Sequence, residues 1–252
     1  MRVIVLSSGS RGNTTYIECG NTKILIDIGN SCKYVVDKLK NLGIKAEDID
    51  AIFITHTHAD HIKGLRVFIN KYGTKVYFTR KMFDELRYVD NYAFIDDDEL
   101  LFNDLKLKII KTSHDVVDSV GYVIEGENKS VVYVTDTGYI NSKYFELLKN
   151  RNVYIIESNH DVEMLNNGPY CFKLRQRILS DKGHLSNYDC ARYLANFIGD
   201  NTDTIVLAHL SLDNNTEELA YETLMERLRE CDTQINRILI AKQNVESEEI
   251  KL

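Results

Sequence analysis

A single proline, Pro169, in 252 residues, with no internal repeat and no low-complexity tract, excludes a fibrous or compositionally disordered chain. Apolar residues make up 44% against 27% charged, so a chain of this length buries a sizeable core without covalent staples. Cysteine is sparse and unpatterned. Cys19, Cys32, Cys171, Cys190 and Cys231 are odd in number and never form Cys-x-x-Cys. That argues against a disulfide framework and a structural zinc ribbon, and fits a reducing, cytoplasmic setting. No apolar run approaches a membrane span, so no membrane partner is expected. The opening MRVIVLSSGSRGN has too short an apolar stretch for a signal segment and reads as a first strand. Net positive charge is also absent. The formal charge is −7, whereas nucleic-acid binders favour a basic surface. Bound metal would neutralise several of the carboxylates discussed below, so charge alone does not decide the substrate.

What the sequence does contain is an alternation of short β-rich segments and helical patterns. Strands are expected at 2–6, 15–18, 23–27, 51–55, 75–78, 105–111, 120–125, 130–135, 153–157, 204–208 and 237–240. Helices are expected at 31–42, 62–72, 142–150, 172–180, 187–198 and 216–230. Two β-rich halves with helices outside imply an α/β, four-layer αββα sandwich of two mixed sheets flanked by helices. Nothing reads as a linker, so residues 1–252 are expected to form one domain.

Polar residues recur at the carboxyl ends of these strands. Asp27, the run from His56 to His61, His114, Asp136, the Asn159-His160-Asp161 triplet and His209 each follow one. Loops sharing one end of a packed sheet converge on one site. The densest run is HTHADH at 56–61. Side chains two apart on extended chain point the same way, so His56 and His58 can bind one ion together. Asp60 and His61 are offset enough to reach a second. Imidazole and carboxylate suit zinc, manganese or iron.

Through H-x-H-x-D-H at 56–61, with Asp27 in ILIDIG, His114, Asp136 in VTDTG and His209 in LAHLS, the sequence resembles the metallo-β-lactamase-fold hydrolases. The resemblance implies that His56, His58 and His114 hold one divalent ion and Asp60, His61 and His209 another. Asp136 would bridge the two, and Asp27 would orient a ligand. The loops SSGSRGN at 7–13, ESNHD at 157–161, GHLSN at 183–187 and LAHLSLDNN at 207–215 further resemble the WalJ/VicX (YycJ-type) exonuclease-like family, bacterial relatives of tRNase Z. Asp136 and His184 lie too close in sequence to admit the large insertion of the β-CASP nucleases.

By this resemblance the protein is a dinuclear phosphodiesterase acting on DNA or RNA, with 5′-3′ exonuclease polarity. Asp60 would serve the nucleophile while ligating, and His184 would contact the scissile phosphate. His184 and His209 could exchange roles. Substrate contacts are expected from Ser8, Ser10, Asn13, His160, Asn187 and Ser211. The cations Lys173, Arg175, Arg177 and Lys182 form either a phosphate track or a solvated helix face. The alternatives are hydrolysis of a small cyclic phosphodiester or a thioester, and a metal-bound regulatory role in cell-wall signalling.

Overall fold

The computed structural model describes residues 1–252. Its first half contributes β1 (Arg2–Ser7), β2 (Thr14–Cys19), β3 (Thr22–Ile26), β4 (Ala51–Phe53), β5 (Lys75–Phe78) and β6 (Tyr92–Phe94). The second contributes β7 (Glu99–Phe102), β8 (Leu105–Lys111), β9 (Val120–Gly126), β10 (Lys129–Val134), β11 (Val153–Glu157), β12 (Thr204–Ala208) and β13 (Arg237–Ile240). The chain then returns to the first sheet as β14 (Ile250–Lys251). Helices α1 (Cys32–Asn41), α2 (Ala59–Ile62) and α3 (Leu65–Tyr72) belong to the first half. Helices α4 (Phe145–Leu148), α5 (Val162–Asn167), α6 (Phe172–Ile178), α7 (Asn187–Phe197) and α8 (Glu217–Glu230) belong to the second.

The two seven-stranded sheets run β14-β1-β2-β3-β4-β5-β6 and β13-β12-β11-β10-β9-β8-β7. Each begins with antiparallel pairing and turns parallel, at β3–β6 in one and at β10–β13 in the other. Alternation along the strands sorts two cores. Val131, Tyr133, Val153, Ile155 and Val206 face the larger cluster between the sheets. Val132, Val134, Tyr154, Ile156, Ile205 and Leu207 face the cluster shared with α7 and α8. Both faces of β10–β12 are therefore covered, which explains their nearly unbroken apolar runs. The expected four-layer sandwich is the observed one.

The differences are local. The single helix expected at 62–72 is split into α2 and α3 around Gly64. There the chain closes on Ile28 O (2.9 Å from Gly64 N), and a Cβ at Gly64 would lie 2.1 Å from Asn30 O. The helix expected at 142–150 is a tight turn at Ser142–Tyr144 running into the one-turn α4, and it stops before Asn150, which has φ +54°. Strands β6, β7 and β14 and helix α5 were not expected. Each is short; β7 forms a hairpin with β8, β6 extends the sheet beside β5, and β14 is defined by pairing with β1 from the other end of the chain.

Candidate metal centre

The parallel strands all point their carboxyl ends toward one edge of the sandwich, and the polar residues collect there. Asp27 follows β3, Thr55 and His56 follow β4, Asp136 follows β10, Glu157 ends β11 and His209 follows β12. Asp27, Asp136 and His209 adopt left-handed backbone, with φ of +59°, +54° and +56°. That conformation costs a non-glycine residue on the order of 1 kcal/mol, and such strain concentrates at functional sites.

The loop that carries HTHADH is clamped by main-chain bonds. Asn13 N donates to Asp60 O (2.8 Å) and Ile28 N to His61 O (2.8 Å). Gly29 sits in this junction, where a Cβ would lie 1.8 Å from Asp60 O, so only glycine fits. Asp27 is fully buried. It accepts from Thr55 N (2.8 Å) and Thr55 Oγ1 (2.7 Å), and its Oδ2 lies 2.7 Å from His61 Nδ1. A proton fixed on Nδ1 puts the ring's lone pair on His61 Nε2, where Asn13 Nδ2 lies 2.9 Å away and a metal ion would take its place as partner.

Six of the seven histidines meet at this edge. His56, His58 and His114 place one nitrogen each within ligating reach of a common point. Asp60, His61 and His209 do the same, as do His56, His61 and Asp136. Asp136 lies between the two sets. Its Oδ2 is 3.2 Å from His61 Nε2, and its Oδ1 is 3.4 Å from His209 Nε2 and 3.8 Å from His114 Nε2. His56 Nε2, Asp136 Oδ2 and His209 Nε2 are all buried without a hydrogen-bond partner. Buried polar atoms are rarely left unpaired, and three at one point fit a cation.

The electrostatics divide the cluster in two. Burial lowers the pKa of His56, His58 and His114, which keeps these imidazoles neutral with lone pairs available. On the other side burial is outweighed by carboxylates. Asp136 and Asp27 raise His61 to about 10, and Asp136, Asp60 and Glu157 raise His209. The protons drawn there supply the positive charge that a divalent cation would bring. His/Asp donors of this kind bind divalent metal.

Glu157 was not foreseen as a site residue. It is fully buried, and its Oε1 sits 2.8 Å from His184 Nδ1 and 2.9 Å from His209 Nδ1. Its Oε2 accepts from Thr137 N and Leu185 N, both at 3.1 Å. Burial works against the charged form, but the two imidazoles prevail and hold its pKa down at about 2. One acidic residue ending an otherwise apolar buried strand, VYIIE, was the signal available in the sequence. On the opposite wall Gly183 O, 3.2 Å from His114 Nδ1, orients that ring in the same way.

A cleft of about 320 Å3 opens onto the cluster. His58, Asp60, His114, Asp136, His184 and His209 line its floor, and Tyr170, Leu174 and Arg177 form one wall. Of the six expected substrate contacts, Ser10 and Ser211 line it. The other four do not line it and are buried. Ser8 accepts from His209 N (2.8 Å) and so anchors the His209 backbone. Asn13 is buried against His61 Nε2 (2.9 Å). Asn187 forms a reciprocal amide pair with Asn215, both bonds 2.8 Å. His160 is 1% exposed, with both ring nitrogens unpartnered. Among the basic residues, Arg177 alone lines the cleft, paired to Asp115, while Lys173 and Lys182 point to solvent.

A family model described as the beta-lactamase superfamily domain matches residues 22–210. The chain belongs to that superfamily. Within it, the chain is 39% identical over 237 residues to "Exodeoxyribonuclease WalJ" of Streptococcus pneumoniae, covering 90% of this chain and 88% of the relative. It is 38% identical over 233 residues to "Exodeoxyribonuclease YycJ" of Bacillus anthracis, with the same coverage. Among solved structures, the metallo-beta-lactamase fold protein YhfI from Bacillus subtilis superposes with TM-score 0.72 at 16% identity over the whole of both chains. The superfamily fold and the kinship with WalJ and YycJ agree with the resemblance read from the loop motifs. No helix is long and apolar enough to cross a membrane.

Proposed function

We propose that this protein is a bacterial, cytoplasmic, dinuclear metal-dependent exonuclease acting 5′-3′ on DNA, with RNA as the second candidate polymer, and that residues 1–252 act as one domain. The observation that carries the reading is the position of Asp136, one oxygen toward His61 and the other toward His209 and His114, among buried unpaired donor atoms. The names of the WalJ and YycJ relatives supply the reaction class. Five free cysteines fit a reducing compartment.

His56, His58 and His114 would hold one ion, Asp60, His61 and His209 the other, and Asp136 would bridge them; zinc and manganese both suit these donors. When bound, such ions lower the pKa of a water and neutralise charge building up on the phosphoryl oxygens. The chain's own residues do the rest. Asp60, partly exposed to the cleft and 3.6 Å from His209 Nε2, is placed to accept a proton from the attacking water. His184 is gripped at Nδ1 by Glu157, and its ring borders the cleft, which leaves Nε2 for the phosphate or the departing oxygen. The contrast between a buried, unpaired His209 Nε2 and a partly exposed His184 supports His209 as ligand and His184 as the substrate-facing group.

The test is degradation of 5′- and 3′-labelled single-stranded and duplex DNA and RNA with manganese or zinc. Mononucleotide should be released from one end. Asp136→Ala should lose turnover and bound metal together, whereas His184→Ala should lose turnover by about 100-fold or more with both ions retained. An emptied site in His184→Ala would reverse the assignment of His184 and His209. Intact polymers with both ions bound would move the reading to a small phosphodiester or thioester.

A further inference from the structure

The cleft above the metal centre has two chemical halves. Its floor is imidazole and carboxylate, while Tyr170, Leu174, Ile178, Leu210 and Leu212 supply an apolar lining. Apart from the histidines, Tyr170 is the one aromatic ring that lines it, and this ring is partly exposed. A nucleotide divides in the same way, into a charged phosphate and a flat base. At about 320 Å3 the cleft is at the small end of the range for whole ligands, about 300–1,000 Å3, and admits one monomer-sized unit.

The ring is held in place relative to the metal centre. Tyr170 follows the only proline, Pro169, whose own ring fixes the backbone there. Gly168, just before, packs so closely that a Cβ would lie 2.5 Å from Asn214 Oδ1. Tyr170 Oη donates to Asp213 Oδ2 (2.9 Å) on the loop that follows His209. Helix α6 begins just after Tyr170, and its far end serves the other side of the site. There Ile178 O accepts from His184 N (3.0 Å), and Arg177 is paired with Asp115, next to His114. One short helix therefore links the ring to His184 and to the loops that carry His114 and His209. The hydroxyl is taken up by Asp213, so what Tyr170 has left to offer a ligand is the ring itself.

Resting on the nuclease reading above, we propose that Tyr170 is the platform on which the base of the departing nucleotide stacks while its phosphodiester lies over the metal centre. Every base has a flat π-face, so a stack on tyrosine holds the terminal unit without reading its identity. Asp213 acts through Tyr170 as a positioning residue.

The experiment compares the manganese-loaded wild type with Tyr170→Ala and Tyr170→Phe on two DNA oligonucleotides. One is intact. The other lacks the base of its terminal nucleotide, at the end from which the wild type releases mononucleotide. The wild type should favour the intact DNA by about 5- to 150-fold in kcat/KM, the scale of one base–aromatic stack. Tyr170→Ala should lose that factor on the intact DNA and nothing on the abasic one, so the preference disappears. Tyr170→Phe keeps the ring and should keep most of the preference. A wild type indifferent to the missing base overturns the platform, as do equal losses of Tyr170→Ala on both substrates, no loss on the intact one, or a Phe variant as poor as the Ala variant. A wild type that releases nothing from either DNA with both ions bound overturns the nuclease reading itself, a separate result visible without any variant.

Discussion

Glu157→Gln preserves the size and shape of a side chain with four acceptor contacts but cannot preserve all four. The carboxylate faces two imidazole nitrogens with Oε1 and two backbone N–H groups with Oε2. An amide turned to satisfy the backbone presents its NH2 to His184 and His209, and the opposite rotamer presents it to Thr137 N and Leu185 N. Two hydrogen bonds to a charged group are lost, about 1.5–3 kcal/mol each if nothing compensates. Rotation of the rings recovers part of this. The residual effect should match the 10–100-fold loss typical of groups that orient a ligand, or about 1.4–2.7 kcal/mol. Titration calorimetry of manganese into chelator-stripped protein reads it directly, with only one class of site weakened. The acid dependence has a defined sign. The folded pKa near 2 lies below the ordinary 4.5, so the carboxylate contributes stability that is present above pH 4.5 and is lost as pH falls toward 2. The gap in melting temperature between wild type and variant should therefore narrow from pH 7 into acid. Wild-type metal affinity and turnover in Glu157→Gln would refute the idea that this carboxylate positions His184 and His209.

Asp27→Asn should present an amide NH2 to His61 Nδ1 and push the ring proton to Nε2, the atom needed for a ligand. Elemental analysis should show loss of one metal equivalent with the melting temperature little changed; two equivalents retained at full affinity would contradict the role given to Asp27. His160 is held by burial at a pKa of about 4, below its ordinary 6.5, so the unfolded chain takes up a proton that the folded one refuses. The His160 contribution to stability should be constant above pH 6.5 and fall between 6.5 and 4, by up to about 3 kcal/mol. His160→Phe should flatten that slope in urea unfolding of metal-free protein, and an unchanged slope would exclude His160 as its source.

The sequence carried the skeleton of the candidate site because histidines and carboxylates gathered at strand ends leave a local signature. The alternation that places Val131 and Val132 on opposite faces marked the strands, and for 75–78, 105–111, 153–157, 204–208 and 237–240 the expected bounds match those observed. HTHADH compresses four donors into one loop, so it was readable without a fold. Glu157 escaped because its role exists only when Thr137, His184, Leu185 and His209, from separate segments, close around it. The opposite error has the same origin. Ser8, Asn13 and Asn187 are the small polar residues expected to greet a phosphate, yet each is consumed in holding a backbone or a neighbouring amide. Burial decides between those two uses, and burial is a property of the packed chain.

The left-handed backbone at Asp27, Asp136 and His209 also bears on how this protein can change over generations. Glycine and asparagine adopt that conformation more readily than aspartate or histidine. Substitutions to these residues at positions 27, 136 and 209 would relieve strain while discarding the donor atoms. Without selection for the chemistry, the strain relieved at these positions would partly offset the hydrogen bonds lost, so drift toward an inert but folded protein meets little resistance. A descendant that had given up its chemistry would carry Asn or Gly at these three places while its sheets stayed intact.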